Sequence, residues 1–213
     1  MKYKCLIFDC DGVLVDSESI SNGVMIKMAN SIGAKIELDY ANKYFSGKSL
    51  KSIFLEIENI TDKKLPDSFE SEYRTKTFDS FKNDLKAIKG VKKILNLIKV
   101  PYCVASSGPR EKIELNLTTT GLIDNFKNNI FSSYEIDSWK PEPQIFLHSA
   151  KMMGFKAGDC AVIEDSIAGV IAGKKGGFDV FGYANGNNDQ ELIDAGAKVF
   201  YSMDELAELL NLK

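Results

Sequence analysis

The feature that most constrains this chain is its opening segment, Cys5-Leu-Ile-Phe-Asp9-Cys-Asp11-Gly12. The apolar run from Cys5 to Phe8 predicts a short buried strand, and two carboxylates one residue apart follow it directly, with a glycine behind them. In open α/β sheets, ligands bind just beyond the carboxyl ends of the strands. Two acids this close repel each other unless a cation or a shared proton relieves them. The segment therefore predicts a metal site or an acid–base site where a buried strand ends.

The next part of the chain, residues 17–85, has helical patterns with no strand pattern between them. We predict a first helix around residues 20–28, a short helix capped by Asp39, a third over residues 50–57 and a fourth that begins at Asp67. This range is therefore predicted to be an all-helical domain, inserted after the first strand.

The remainder of the chain alternates short β-rich runs with helical patterns, which is typical of a parallel sheet. The predicted strands cover residues 102–106, 130–131, 160–163, 178–182 and 197–200, and the predicted helices cover 91–98, 109–121, 143–154, 167–175 and 203–210. The first strand must join this sheet, because alone it would leave its backbone groups without partners. Residues 1–16 and 86–213 are therefore predicted to form one α/β core.

Polar residues follow several of the predicted strands at their carboxyl ends, where we expect them to share a cleft. They are Asp9 and Asp11 after the first strand, Ser106 and Ser107 at the second, Lys140 in a loop after the third, and Glu164 with Asp165 after the fourth. Taken singly, each has an ordinary explanation as a turn, a helix cap or a solvated loop. Their occurrence together, strand by strand, favours a site.

This set of groups suits a phosphoryl group held with Mg²⁺. Carboxylates such as Asp9 and Asp165 supply the hard oxygen ligands that Mg²⁺ prefers. Phosphate oxygens can bind Lys140, Ser106 and the backbone N–H groups of Cys10 and Asp11. Asp9 could then attack phosphorus, and Asp11 could protonate the leaving oxygen and later deprotonate the attacking water.

Several other classes of function are disfavoured. The formal charge of −3 comes with no basic stripe, so a nucleic-acid partner is not expected. No apolar run reaches the roughly 20 residues of a membrane span, and no signal sequence precedes the first strand, so we expect a cytoplasmic protein without a membrane partner. The four cysteines are scattered, and three of them lie in or beside apolar runs, which indicates reduced core thiols and disfavours zinc and disulfides. Cys10 lies between the two acids and is expected to contribute its backbone N–H. His148 is expected to pack, and the chain is expected to be a monomer rather than an oligomer.

These motifs resemble those of the haloacid dehalogenase-like hydrolases, in the branch similar to β-phosphoglucomutase and phosphoglycolate phosphatase. The matching segments, in chain order, are Asp9 to Ser17, Ser106, Lys140 and Glu164 to Gly169. The resemblance implies a Rossmann-like core, Asp9 as nucleophile, Asp11 as acid and base, and Mg²⁺ on Asp9, Asp165 and the backbone carbonyl of Asp11, with Glu164 supporting the metal. Two segments look similar to the corresponding segments of enzymes described as 6-phosphogluconate phosphatases. They are Trp139-Lys140-Pro141 and residues 104–109.

The resemblance also implies that residues 17–85 are a cap, hinged near Ser17 and Leu85, whose closure would bring specificity residues to the phosphate site. The candidates are Gly47, Lys48, Lys51 and Arg74. The positive charges of the two lysines and the arginine would suit an anionic sugar phosphate. Unlike the mutase, this chain has no arginine in the stretch that begins at Gly47, and it has Ser21 where the mutase has a histidine.

The leading hypothesis is a Mg²⁺-dependent phosphatase for a small phosphorylated metabolite, such as a sugar phosphate or a sugar-acid phosphate. The alternatives are a phosphosugar mutase and, from another class, a non-enzymatic phospho-receiver in which a long-lived phosphorylated Asp9 is the signal. A dehalogenase would have no use for Asp11. A phosphonate-cleaving enzyme would need a cap lysine that forms a Schiff base, and Lys27, Lys48 or Lys51 could supply one.

Overall fold

The computed structural model describes residues 2–45, 50–184 and 188–212, and the chain divides into two units. The core unit comprises Met1–Asp16 and Lys86–Lys213, and the helical unit comprises Ser17–Leu85. Each unit is described here by itself.

The core unit is built on a six-stranded parallel sheet. Its strands are β1 (Cys5–Phe8), β2 (Tyr102–Ser106), β3 (Ile130–Ser132), β4 (Cys160–Glu164), β5 (Asp179–Tyr183) and β6 (Lys198–Phe200), in the spatial order β3-β2-β1-β4-β5-β6. The predicted α/β class is confirmed. Phe8 at the end of β1 pairs with Val104 of β2 and Ile163 of β4, so the segments that follow these three strands leave the sheet at one edge.

Strand β1 is apolar throughout because it lies in the middle of the sheet. All four residues of β1 are fully buried, as expected for a parallel strand with both faces covered. Alternate residues of the central strands, among them Cys5, Cys103 and Cys160, point into one buried cluster. All four cysteines are buried free thiols.

The helical unit contains α1 (Glu18–Ser31), α2 (Leu38–Tyr44), α3 (Leu50–Thr61) and α4 (Phe69–Asp84), around its own buried cluster. Two predicted helix starts were wrong. Asp39 lies in the first turn of α2, whose N-cap is Glu37. The segment after Pro66 forms a turn, closed by a 2.9 Å hydrogen bond from the Phe69 N–H to the Pro66 carbonyl, so α4 begins at Phe69 and not at Asp67.

The helices of the core unit are α5 (Val91–Leu97), α6 (Arg110–Thr119), α7 (Ile123–Phe126), α8 (Gln144–Met152), α9 (Ile167–Lys175), α10 (Asp189–Asp194) and α11 (Met203–Leu209). The sequence patterns did not predict α7 or α10, which have four and six residues. Pro109 is the N-cap of α6 and not its first residue, because its backbone is extended. Within the described ranges, no helix is both long enough and apolar enough to cross a membrane.

Candidate active site

The turn after β1 places two carboxylates at the carboxyl edge of the sheet. Asp9 continues the ladder, because its N–H donates to the carbonyl of Ile163 at 2.9 Å, and the residue is 7% exposed. Gly12 then turns the chain with φ of 78°, a conformation that favours glycine. A Cβ at Gly12 would lie 1.9 Å from Oδ2 of Asp165, so the glycine also lets the turn approach the segment after β4.

Lys140 joins the segments that follow β1 and β4. Its Nζ lies 2.6 Å from Oδ1 of Asp9 and 2.6 Å from Oε1 of Glu164, and its side chain is 6% exposed. Burial disfavours the ammonium form, but the two carboxylates outweigh this effect and raise the pKa of Lys140 above its usual value. The lysine is therefore a fixed positive charge in the site.

Glu164 is fully buried and organises the loop after β4. Besides the contact of Lys140 with Oε1, its Oε2 accepts hydrogen bonds from the N–H of Asp165, the N–H of Ser166 and the hydroxyl of Ser166, at 2.8 to 2.9 Å. Three of these four bonds fall on Oε2, so this oxygen is fully engaged by the loop, while Oε1 faces Lys140. Glu164 thus holds both Lys140 and the backbone that carries Asp165.

Gly169 makes room for Glu164, since a Cβ at this position would lie 1.8 Å from Oε1 of Glu164. We expect Gly169→Ala to lower the free energy of unfolding by about 1–3 kcal/mol, because a buried, hydrogen-bonded carboxylate would have to move. Denaturant unfolding measures this effect. The matched control is Gly158→Ala, where the added Cβ meets no atom within 4 Å; equal stability losses in both variants would contradict the prediction.

Three acidic side chains of the site lie close enough together to hold a metal ion. Asp9, Glu164 and Asp165 each offer a carboxylate oxygen, and these atoms lie within 4.8 Å of one another. Burial, Glu164 and Asp11 raise the pKa of Asp9 to about 7, although Lys140 acts in the opposite direction. A cation would favour the ionised form of Asp9, and hard carboxylate oxygens suit Mg²⁺. The residues present therefore fit a divalent metal ion.

Two residues that the sequence patterns did not single out contact Asp11. Lys112 Nζ lies 2.8 Å from Oδ2 of Asp11, and Asn116 Nδ2 lies 3.1 Å from Oδ1; both residues belong to α6. Asp11 raises the pKa of Lys112 despite the opposing effect of burial. One sequence signal was available, because Asn116 is a polar residue on the apolar side of α6, beside Ile113 and Leu117. This position indicates a buried polar contact, but nothing in the sequence identifies Asp11 as the partner.

The remaining predicted phosphate contacts lie after β1 and β2. Ser106 is buried at the end of β2, and its Oγ accepts from the N–H of Gly108 at 3.1 Å; Ser107 follows and is partly exposed. Cys10 is fully buried, and burial, Asp11 and Asp9 raise the pKa of its thiol well above the usual value. The thiol therefore stays protonated, so Cys10 is suited to a backbone role and not to nucleophilic chemistry.

The predicted specificity residues belong to the helical unit. Gly47 and Lys48 lie outside the described residues. Lys51 is exposed on α3, and Arg74 on α4 makes an ion pair with Glu70 at 2.7 Å, with about half of each side chain exposed. Their part in substrate choice stays a prediction.

Comparison with known proteins gives consistent matches over nearly the whole chain. Residues 3–177 match the family model described as haloacid dehalogenase-like hydrolase. The chain is 30% identical to a 6-phosphogluconate phosphatase from Escherichia coli (strain K12), over 98% of this chain and 95% of that protein. It is 25% identical to a phosphorylated carbohydrates phosphatase from Thermotoga maritima, over 97% and 98%. A solved haloacid dehalogenase-like protein of unknown function from Agrobacterium tumefaciens superposes with a TM-score of 0.91, at 31% identity over 98% of each chain.

Proposed function

Because the chain belongs to the haloacid dehalogenase-like hydrolases, we propose that it is a Mg²⁺-dependent phosphatase that works through a phosphorylated Asp9. The observation that carries the proposal is the Lys140 ammonium between Asp9 and Glu164, with Asp165 beside them. A nucleophilic carboxylate, a fixed cation and a group of acids that can hold a metal ion are the parts that phosphoryl transfer requires.

Asp9 and Asp165 would hold Mg²⁺ directly, and Glu164 would support them, because its oxygens already accept hydrogen bonds from Lys140 and the loop after β4. The backbone carbonyl of Asp11 would complete the protein ligands. When bound, the ion would neutralise charge on the phosphate oxygens. The charges of the metal-binding group also favour a cation, since the carboxylates of Asp9, Glu164 and Asp165 outnumber the ammonium group of Lys140 by two.

In the first proposed step, a carboxylate oxygen of Asp9 attacks phosphorus. The new O–P bond forms as the bond from phosphorus to the leaving oxygen breaks, and Asp11 gives its proton to that oxygen. Lys140, Ser106, Ser107 and the backbone N–H of Cys10 would bind the phosphate oxygens.

In the second proposed step, Asp11 removes a proton from water, and the water oxygen attacks phosphorus. The Asp9–phosphorus bond breaks, so inorganic phosphate leaves and the Asp9 carboxylate is regenerated. Asp11 ends the cycle with the proton that the next leaving group needs.

The substrate class that we propose is a small sugar phosphate or sugar-acid phosphate. The 6-phosphogluconate and phosphorylated-carbohydrate phosphatases to which the chain is similar support this class. We propose that the helical unit supplies the specificity residues, with Lys51 and Arg74 as candidates.

The test is release of inorganic phosphate from a panel of sugar phosphates that includes 6-phosphogluconate. Two outcomes would overturn the proposal. Isomerisation of a hexose phosphate with a bisphosphate primer and little free phosphate would identify a mutase. A long-lived phosphorylated Asp9 with negligible turnover would identify a phospho-receiver.

Metal removal gives a second expected result. A chelator should abolish phosphate release, and added Mg²⁺ should restore it, because the excess negative charge of the site otherwise opposes binding of a phosphate dianion. The matched control is Ca²⁺ at the same concentration, which is larger and takes 6–8 oxygen ligands, so it should restore much less activity. Full activity in the chelator would contradict the metal requirement.

A further inference from the structure

We propose that Lys112 and Asn116 are positioning residues that orient the carboxyl group of Asp11 for its proton transfers. The inference rests on the proposed function, in which Asp11 serves the leaving oxygen and the attacking water. Each Asp11 oxygen has its own donor, with Lys112 Nζ 2.8 Å from Oδ2 and Asn116 Nδ2 3.1 Å from Oδ1. Rotation of the carboxyl group about either contact would break the other one.

The two donors belong to a helix that is firmly packed. Residues four apart lie on the same face of a helix, so Lys112 and Asn116 approach Asp11 from adjacent turns of α6. Ile113 and Leu117, which are 1% and 0% exposed, anchor this helix in the core unit. A rigid element therefore fixes the Asp11 side chain, which lies on a turn.

The burial of Asn116 indicates a task other than stability. The side chain is fully buried, its Nδ2 donates to Asp11, and its Oδ1 has no hydrogen-bond partner among the described residues. A buried acceptor without a partner costs stability, and an apolar side chain of the same size would avoid this cost. The benefit of an amide at this position therefore lies in its contact with Asp11.

The Lys112 contact also differs from the surface ion pairs of the same unit. Lys93 lies 2.8 Å from Asp204, the same distance as in the Lys112 pair, but the side chains of the surface pair are 66% and 70% exposed. Those of Lys112 and Asp11 are 24% and 28% exposed. The Lys93 pair is thus a matched control for the loss of a lysine–carboxylate contact away from the site.

Misplacement of a proton donor affects substrates according to their leaving groups. An alkoxide leaves poorly without a proton, whereas p-nitrophenolate needs little help because it is weakly basic. Loss of Asp11 orientation should therefore slow the first step, transfer of the phosphoryl group to Asp9, more for an alkyl phosphate than for p-nitrophenyl phosphate. A general loss of structure would slow both reactions alike.

The experiment measures kcat/KM for both substrate types in this chain with Mg²⁺. This parameter reports the step in which the leaving group departs, whereas kcat also includes hydrolysis of the phosphorylated Asp9, which is the same step for both substrates. The alkyl substrate is 6-phosphogluconate, or the sugar phosphate that the panel ranks above it. For Lys112→Met and Asn116→Leu, we expect the ratio of alkyl to aryl kcat/KM to fall by roughly 10-fold to 100-fold, as for a misplaced catalytic group. Asp11→Asn should shift the ratio in the same direction, and Lys93→Met should keep the wild-type ratio.

Thermal unfolding supplies a readout that is independent of activity. Asn116→Leu removes a buried acceptor without a partner, so its unfolding midpoint should equal or exceed that of wild type while the ratio falls. A wild-type ratio in Asn116→Leu, or equal losses on both substrates, would overturn the inference even if Lys112→Met did not fold.

The Asp11→Asn variant separates failure of this inference from failure of the proposed function. If Asp11→Asn shifts the ratio and the α6 variants do not, the inference alone fails. If wild type hydrolyses neither substrate, the proposed function fails with it.

Discussion

Asp9→Asn is expected to lower phosphate release by about four orders of magnitude or more, as the loss of a nucleophile does in other enzymes with covalent intermediates. The amide oxygen is a poor nucleophile and carries no charge to bind a cation. Asp9 also contacts Lys140 at 2.6 Å and lies in the acidic group that can hold a metal, so no neighbouring carboxylate has the same position. Steady-state release of phosphate from 6-phosphogluconate with Mg²⁺ measures the effect.

The Asp9 variant should remain folded. The substitution removes one of several buried negative charges, and Lys140 keeps its 2.6 Å contact with Glu164. Asp204→Asn is the matched control, because it removes an exposed carboxylate that also pairs with a lysine, and it should retain wild-type turnover. Circular dichroism verifies the fold of both proteins. Turnover of a folded Asp9→Asn variant at the wild-type rate would contradict the covalent mechanism.

The sequence was sufficient to predict the sheet because its central strands are buried on both faces. Such strands appear as short apolar runs, and β1 and β2 have the predicted bounds. By contrast, α7 and α10 are too short for a helical period to emerge from their sequences. They form where tertiary packing buries single side chains, Phe126 in α7 and Leu192 in α10.

The polar residues at strand ends could be predicted as a group because parallel strands end at one edge of a sheet. Their partners could not be predicted. The contacts of Lys112 and Asn116 with Asp11 depend on the rotation of α6 about its axis, which its mixed sequence does not fix. The dual contact of Lys140 similarly depends on the path of a loop between β3 and α8, where periodicity gives no information.

Lys140→Met should destabilise the core unit by about 3–5 kcal/mol, since removal of one member of a buried ion pair leaves charge without compensation. The side chains of Lys140, Asp9 and Glu164 are 6%, 10% and 0% exposed, so water cannot replace the ammonium group. Urea unfolding measures the change as a lower midpoint at constant slope. The control is Lys175→Met, whose exposed pair with Glu142 should contribute at most about 1 kcal/mol.

A double-mutant cycle with Glu164→Gln tests whether the cost of Lys140→Met comes from the unpaired carboxylates. When Lys140 is present, the carbonyl oxygen of the introduced glutamine can take the place of Oε2 and accept from the loop after β4. Its NH₂ group then takes the place of Oε1 and faces the ammonium group of Lys140, which is unfavourable. Without Lys140, the same glutamine removes a buried negative charge. The Glu164 substitution should therefore cost less in the Lys140→Met background, with a coupling of about 0.5–3 kcal/mol. Additive losses would instead assign the cost to the packing of the lysine stem.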